Sequence, residues 1–426
     1  DDKVAITGTI NSGGIIGPVG GVKEKLEAAS KNSIRKVLIA KGNREFKEGN
    51  ITTDLINYSK INLSLTTIEV LDLDEVLFEL TGKKLRVPVK DLVINPQYDL
   101  LMQEVKEILC NRTDKIEQRI EEENLNLPIN FTKEIQTQKE RSNNASNNKD
   151  YYSAASFCFN NNIQLKREVY KSEKVTDKII NESFTTLKEK NALLKERLRK
   201  KPIKTISDLQ TYSIVKERLN DVDTQIEKIN QSNNEEKRNI LAYTEERYFS
   251  ALSWMQFYNM EGKSFTFNDK ILKQSCLQKL SEAEERHQYA SLFLPQHVAQ
   301  IKEKINDARA AYEKNEPALC LITASQAKGE ANSILSSLGV DEESMTDYLA
   351  AKRKATERVI AENSAEGIFP ILGYSYYQYA NSLESQNKYT ALVYLEYALE
   401  MSNLQIYFPQ EYEFVTPTLN DDTVIF

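Results

Sequence analysis

A glycine-rich stretch near the start of the chain constrains the fold more than any other feature. It reads Thr7-Gly-Thr-Ile-Asn-Ser-Gly-Gly-Ile-Ile-Gly-Pro-Val-Gly-Gly-Val-Lys-Glu-Lys-Leu-Glu-Ala-Ala29. Apolar residues before the first glycines indicate a strand, the glycines indicate turns, and the residues after Gly20-Gly21 indicate a helix. This order of strand, turn, short strand and helix predicts an α/β unit.

One lysine of the predicted helix falls on its apolar side. On a helical wheel Lys25 shares a face with Val22, Leu26 and Ala29, whereas Lys23 falls on the polar face. Two interpretations are open. The stem of Lys25 can lie on apolar surface with its ammonium in water, which spacing alone favours. Alternatively, burial can favour the neutral amine that a lysine general base requires.

The same residues resemble the proteolytic domain of the Lon family of serine–lysine peptidases. The resemblance is close over Val4–Ala29 and continues through Ile34–Ala40 and Thr67–Gly82. In the family pattern a strand ends in Thr-Gly, a turn leads to Gly-Pro-Val-Gly-Gly, and the catalytic lysine is the fourth residue after the paired glycines. Counted this way, the resemblance assigns the catalytic lysine to Lys25, not Lys23, and the family's lysine-orienting threonine to Thr7.

The resemblance implies an endopeptidase that cleaves polypeptides without a cofactor, with Lys25 as the general base. In the family the nucleophilic serine lies upstream, in a turn that has no counterpart in these residues. Ser12 does not match that position, so the sequence assigns it no role. We therefore expect the chain to start after the catalytic serine and to be inactive by itself.

The remainder of the chain is predicted to be helical, which gives an α+β fold class overall. We expect a truncated Lon-type α/β domain over 1–85, a linker over 86–98, a helical extension over 99–402 and a tail over 403–426. Within the extension, two heptad-like apolar stripes predict a coiled-coil-like hairpin at about 173–232, with further helices over 236–402. The asparagine-rich residues 141–148 are predicted to form a polar loop. The segment Tyr151–Phe159 resembles one that follows the peptidase domain in an archaeal Lon-like subgroup.

Composition excludes several other function classes. The net charge of −7 and the lack of a basic, aromatic-interleaved patch argue against nucleic-acid binding. The two histidines lie outside any zinc-hydrolase motif, so no metal is expected. The chain has no Walker A motif, which indicates an ATP-independent enzyme. The four cysteines have no metal-ligand spacing, and the sequence leaves open whether they are small buried residues or form disulfides.

A non-catalytic alternative stays open: a helical scaffold or protein-interaction module that retains a peptidase-like domain. A serine in a Gly-x-Ser-x-Gly turn upstream would favour the enzyme. The resemblance also implies a homo-oligomer and a membrane-associated or extracytoplasmic location, with any membrane anchor outside these residues. Otherwise the location is cytoplasmic.

Overall fold

The computed structural model describes residues 3–48, 51–86, 91–125, 127–340 and 342–415. The part up to residue 86 is a small α/β unit, and the part from residue 91 is almost entirely helical. The predicted α+β class is therefore confirmed.

The α/β unit is built on short strands, because its sequence alternates apolar runs with glycine turns. Its strands are β1 (Val4–Thr7), β2 (Thr9–Asn11), β3 (Ile15–Gly17), β4 (Lys36–Ala40), β5 (Glu45–Glu48), β6 (Ile51–Asp54) and β7 (Thr66–Val70). Its helices are α1 (Val22–Lys31), α2 (Leu55–Asn62) and α3 (Leu73–Thr81). A 3₁₀ turn, Ser12–Gly14, joins β2 to β3.

The strands β1, β4 and β7 form a parallel sheet with β4 in the centre. Successive residues of β4 point to opposite faces, so Val37 and Ile39 pack with α1 and α2, while Leu38 and Ala40 pack with β3 and α3. A central strand covered on both faces has to be apolar throughout, which explains the sequence Val-Leu-Ile-Ala in β4.

The helical part contains twelve helices within the described ranges. They are α4 (Pro96–Glu122), α5 (Ile129–Asn147), α6 (Tyr151–Ser172), α7 (Asp177–Arg199), α8 (Ile206–Lys228), α9 (Asn234–Trp254), α10 (Asp269–Phe293), α11 (Ala299–Glu313), α12 (Pro317–Ser337), α13 (Glu342–Ala365), α14 (Ile371–Leu383) and α15 (Lys388–Ser402). Helices α7 and α8 pack against each other at the predicted hairpin, and α8 also packs on α9 and α12.

The predicted polar loop at 141–148 is wrong. Residues 141–147 are the last part of α5, because Ser142 and Ala145 of the asparagine-rich run are buried, and α5 packs against α6. In the predicted linker, Asn95 caps α4 and Pro96 is its first residue, a favourable pair at a helix start.

The predicted tail also contributes structure. Strand β9 (Gln410–Val415) pairs antiparallel with β8 (Gly262–Phe265) in the middle of the chain. The rest of the predicted tail, 416–426, lies outside the described residues.

Two disulfides join helices of the extension and resolve the question that the sequence leaves open about the cysteines. Cys110 of α4 is bonded to Cys158 of α6, and Cys276 of α10 is bonded to Cys320 of α12. All four cysteines are paired.

Candidate functional site

The turn geometry at the start of α1 agrees with the glycines of the sequence. Gly21 caps α1 with φ of 68°, in the left-handed region that side chains with a Cβ rarely adopt. Val22, Leu26 and Ala29 of the helix are buried against the sheet, as the wheel predicts. Thr7 is half-buried at the end of the edge strand β1, where it is paired with Ile39 of β4.

The side chain of Lys25 is exposed, as in the first of the two interpretations, which places its ammonium in water. Its Nζ donates a hydrogen bond to the backbone carbonyl of Gly20 at 2.9 Å. The wheel places Lys25 roughly 70° from the centre of the apolar face, and helical side chains lean toward the N-terminus. Both effects carry the ammonium back over the glycine turn and into solvent. No hydrogen bond joins Thr7 to Lys25 among the described residues.

The neighbouring Lys23 is the more covered lysine, in contrast to its predicted place on the polar face. Its Nζ lies 5.0 Å from the ring centroid of Phe46 and 5.8 Å from that of Tyr58. It also lies 3.6 Å from a carboxylate oxygen of Glu48. Strand β5 supplies Phe46 and Glu48, and helix α2 supplies Tyr58. A helical wheel cannot show contacts with residues of other elements.

A buried charged cluster surrounds Ser12, which the sequence leaves without a role. Lys352 of α13 donates from Nζ to the Ser12 carbonyl at 2.8 Å and to Ser12 Oγ at 2.9 Å. The same ammonium lies 2.7 Å from Oε1 of Glu396 in α15, and both charged side chains are fully buried. Ser12 Oγ donates to the second oxygen of Glu396, and Ser336 Oγ donates to Oε1 at 3.0 Å.

This Ser12 cluster, formed by Ser12, Lys352 and Glu396, is not a serine–lysine dyad. Burial lowers the pKa of Lys352, but the adjacent charge and hydrogen bond of Glu396 raise it, and the net direction is upward. Lys352 is thus an ammonium with three acceptors, and it has no lone pair to take a proton from Ser12. The arrangement holds the turn; it does not activate a nucleophile.

The sequence does carry a signal for this cluster. Glu396 lies in a run of apolar residues, between Leu392 and Leu399, and such a glutamate in a buried helix requires a cationic partner. The identity of that partner is not readable, because Lys352 and Ser12 are distant along the chain.

Further contacts join the Ser12–Gly14 turn and its neighbours to α13. Arg358 donates to the carbonyl of Gly13 at 3.2 Å, and Lys41 forms an ion pair of 2.8 Å with Asp347. Gly13 has φ of 75°, and a Cβ built there would come within 2.9 Å of Ala355. The turn therefore requires glycine both for its backbone and for this close approach.

Two clefts in the described part of the chain do not include the predicted catalytic residues. The larger, of about 920 Å³, lies between α3 and α13. The second, of about 720 Å³, lies between α5, α6 and α14. Neither Thr7 nor Lys25 lines either cleft. The position of Lys25 is thus an open surface on the described part of the chain.

The described residues contain neither a metal-binding cluster nor a helix that could span a membrane. No group of three or more histidine, cysteine, aspartate or glutamate side chains there is arranged to hold a metal ion. Within the same ranges, no helix is both long and apolar enough to span a membrane.

Comparison with known proteins concerns the α/β unit. No curated protein and no solved structure matches the chain. Residues 1–81 match the family model of the Lon protease (S16) C-terminal proteolytic domain. The N-terminal part of this chain is therefore similar to a Lon-type peptidase domain, and the helical part from residue 91 lies outside the match.

Proposed function

We propose that the chain is part of an ATP-independent serine–lysine endopeptidase of the Lon type, in which Lys25 is the general base and Thr7 orients it. The observation that carries this proposal is the match of residues 1–81 to a Lon proteolytic domain. The position of Lys25, fourth after the paired glycines, supplies the residue assignment. The nucleophilic serine comes from a segment upstream of these residues.

The surroundings of Lys25 are compatible with the role of a base once the surface is covered. Its ammonium contacts a backbone carbonyl, and no carboxylate forms an ion pair with it among the described residues. A carboxylate partner would hold the amine protonated, as Glu396 does for Lys352. The upstream segment and a bound polypeptide would exclude water from Lys25 and so favour the neutral amine.

The test is cleavage of a fluorescently labelled casein by the full-length protein. Lys25→Ala is expected to lower kcat/KM roughly 10³-fold or more, because the base that deprotonates the serine is lost. Lys23→Ala is the matched control in the same helix. Loss of the cation–π contacts of Lys23 is expected to lower the free energy of unfolding by about 1 kcal/mol. The cleavage rate of this variant is expected to stay near that of the wild type.

Circular dichroism and the unfolding midpoint check that both variants are folded. Undiminished cleavage by Lys25→Ala would show that this lysine is not the base. Wild-type protein that neither cleaves casein nor has a serine in the upstream turn would favour the second candidate function.

That second candidate is a non-catalytic scaffold, and the Ser12 cluster favours it. The α/β unit is joined to α13 and α15 through a fully buried ion pair, as expected of a structural module. The exposure of Lys25 is also compatible with this alternative.

The two disulfides support an extracytoplasmic location for either function. Disulfides that join secondary-structure elements form and persist in oxidising compartments and are rare in the cytosol of mesophiles. A Lon-type domain suggests polypeptides as substrates. We also propose a homo-oligomer, which the resemblance to the Lon family implies.

A further inference from the structure

The smaller of the two clefts has the features of a binding site and is remote in sequence from the α/β unit. It has a volume of about 720 Å³ and lies where the end of α5, the start of α6 and α14 meet. Its floor includes the buried side chains Phe157, Tyr374 and Tyr377. Concave sites for small molecules have volumes of roughly 300–1,000 Å³ and combine an apolar floor with a few placed polar groups.

One wall of this cleft carries a cation, Arg141, that has no partner among the described residues. Arg141 of α5 is half-buried and lines the cleft. Within the described ranges no carboxylate or carbonyl oxygen is bonded to its guanidinium. A planar guanidinium matches a carboxylate or phosphate well, because it can bind either through two parallel hydrogen bonds.

The same cleft contains a carboxylate, Asp150, that no described lysine or arginine pairs with. Asp150 caps α6 by accepting a hydrogen bond from the backbone amide of Ser153 at 3.2 Å, and none of the described lysines or arginines forms an ion pair with it. Besides burial, its charge raises the pKa of two neighbouring phenols, those of Tyr98 and Tyr374. Burial raises the pKa of Asp150 to about 6, so at neutral pH the carboxylate is ionised at a cost.

The cleft is also lined by neutral polar groups that can both donate and accept hydrogen bonds. Asn144, Asn148 and Asn381 are exposed amides at the edge of the cleft. Such amides suit the peptide groups of a ligand, which also donate and accept. An uncharged ligand such as a sugar would leave both the guanidinium and the carboxylate without a partner.

We propose that this cleft binds a small zwitterion, an amino acid or short peptide with free ends, whose ammonium pairs with Asp150 and whose carboxylate pairs with Arg141. Each end of the ligand pairs with one charged side chain that has no partner of opposite charge among the described residues. The inference does not depend on the proposed peptidase activity, because neither charged residue belongs to the α/β unit.

The test is isothermal titration of the full chain at pH 7.5 with triglycine as the probe. Two matched probes remove one charge each: N-acetyl-triglycine and triglycine amide. We expect triglycine to bind at least about tenfold more tightly than either, as the loss of one charge-assisted hydrogen-bonded pair implies.

Variants assign each end of the probe. Arg141→Gln is expected to abolish the preference for the free carboxylate, and Asp150→Asn the preference for the free ammonium. Asparagine is also a good helix cap, so this second variant retains the start of α6. Arg199→Gln, at an exposed arginine outside the cleft, is the control and is expected to bind like the wild type.

Equal affinity for the three peptides, or no heat of binding for triglycine at millimolar concentration, would overturn the proposal. So would selectivity that persists unchanged in both cleft variants. A result of that kind leaves the proposed peptidase function untouched, because that function is tested by Lys25→Ala.

Discussion

At the scale of the single residue, position on an element was more predictable than environment. The sequence places Lys25 on the helix after the paired glycines, and the structure agrees, but the side chain is exposed. A helical wheel gives only the direction in which a Cβ points. The ammonium of a lysine lies about four bonds beyond the Cβ, so its position depends on nearby solvent and on carbonyl groups that accept its hydrogen bonds. The place of Ser12 in a turn was equally readable, and its buried partners were not.

Asp150 gives a prediction at this scale through its titration. Its pKa is raised from the ordinary 3.8 to about 6 by burial. Between these values the folded protein binds more protons at this group than the unfolded chain, so stability falls as pH rises through this interval and is level above it. A difference of about two pKa values corresponds to roughly 3 kcal/mol.

We therefore expect Asp150→Asn to be more stable than the wild type by roughly 3 kcal/mol at pH 8, with a gain that shrinks towards pH 4. Urea unfolding of both proteins across this range measures the difference. A gain that is the same at every pH would show that the titration of Asp150 is not its cause.

At the scale of elements, amphipathic stripes in the sequence identified most helices. The polar composition of residues 141–148 led to a wrong prediction of a loop, because the helix there buries only a few side chains. The buried side of α5 consists of three residues, Ile135, Ser142 and Ala145. The asparagines near its end lie on the outer side of the same helix. Strand β9 could not be predicted, because its partner β8 is far away along the chain.

The disulfides give the prediction for this scale. They close loops with sequence separations of 48 and 44 residues, between α4 and α6 and between α10 and α12. Loop-closure entropy gives each a stabilisation of about 4 kcal/mol. Replacing Cys110 and Cys158 together by alanine is expected to lower the free energy of unfolding by about 2–5 kcal/mol, measured in urea.

A reducing agent should destabilise the wild type by more than this variant, because the wild type loses both bonds. Thiol labelling of the unfolded, unreduced protein is the control and should find no free cysteine. Four labelled cysteines in that control, or a wild type whose unfolding midpoint is indifferent to reductant, would contradict the pairing.

At the scale of the whole molecule, the sequence separates an α/β part from a helical part, and the structure joins them. The junction consists of contacts such as Ser12 with Glu396 and Lys41 with Asp347, which connect the two ends of the chain. The periodicity of apolar residues is a local pattern, so it cannot predict contacts between residues so far apart in sequence. Only the anomaly of a glutamate within an apolar helix face points to a hidden partner.

Removing the charge of Lys352 tests this junction. Lys352→Met leaves Glu396 buried without its cation, which is expected to lower the free energy of unfolding by about 3–5 kcal/mol. The double variant Lys352→Met/Glu396→Gln should recover at least half of that loss, because the orphan charge is gone. Urea denaturation provides both values.

Lys41→Met is the matched control, since its ion pair with Asp347 is largely exposed. A change of no more than about 1 kcal/mol is expected there. Equal effects of Lys352→Met and Lys41→Met would mean that the Ser12 cluster does not hold the two parts together.

The span of the Ser12 cluster also sets an order of events during synthesis. Ser12 and Glu396 are separated by 384 positions. At roughly 5–20 residues per second, a ribosome needs about 20–80 s after making the turn before it makes the last partner of that turn. Throughout that time the newly made N-terminal unit presents an uncovered serine–glycine loop. A cell producing this protein therefore has an interval of tens of seconds in which other proteins can reach a surface that the finished molecule partly covers.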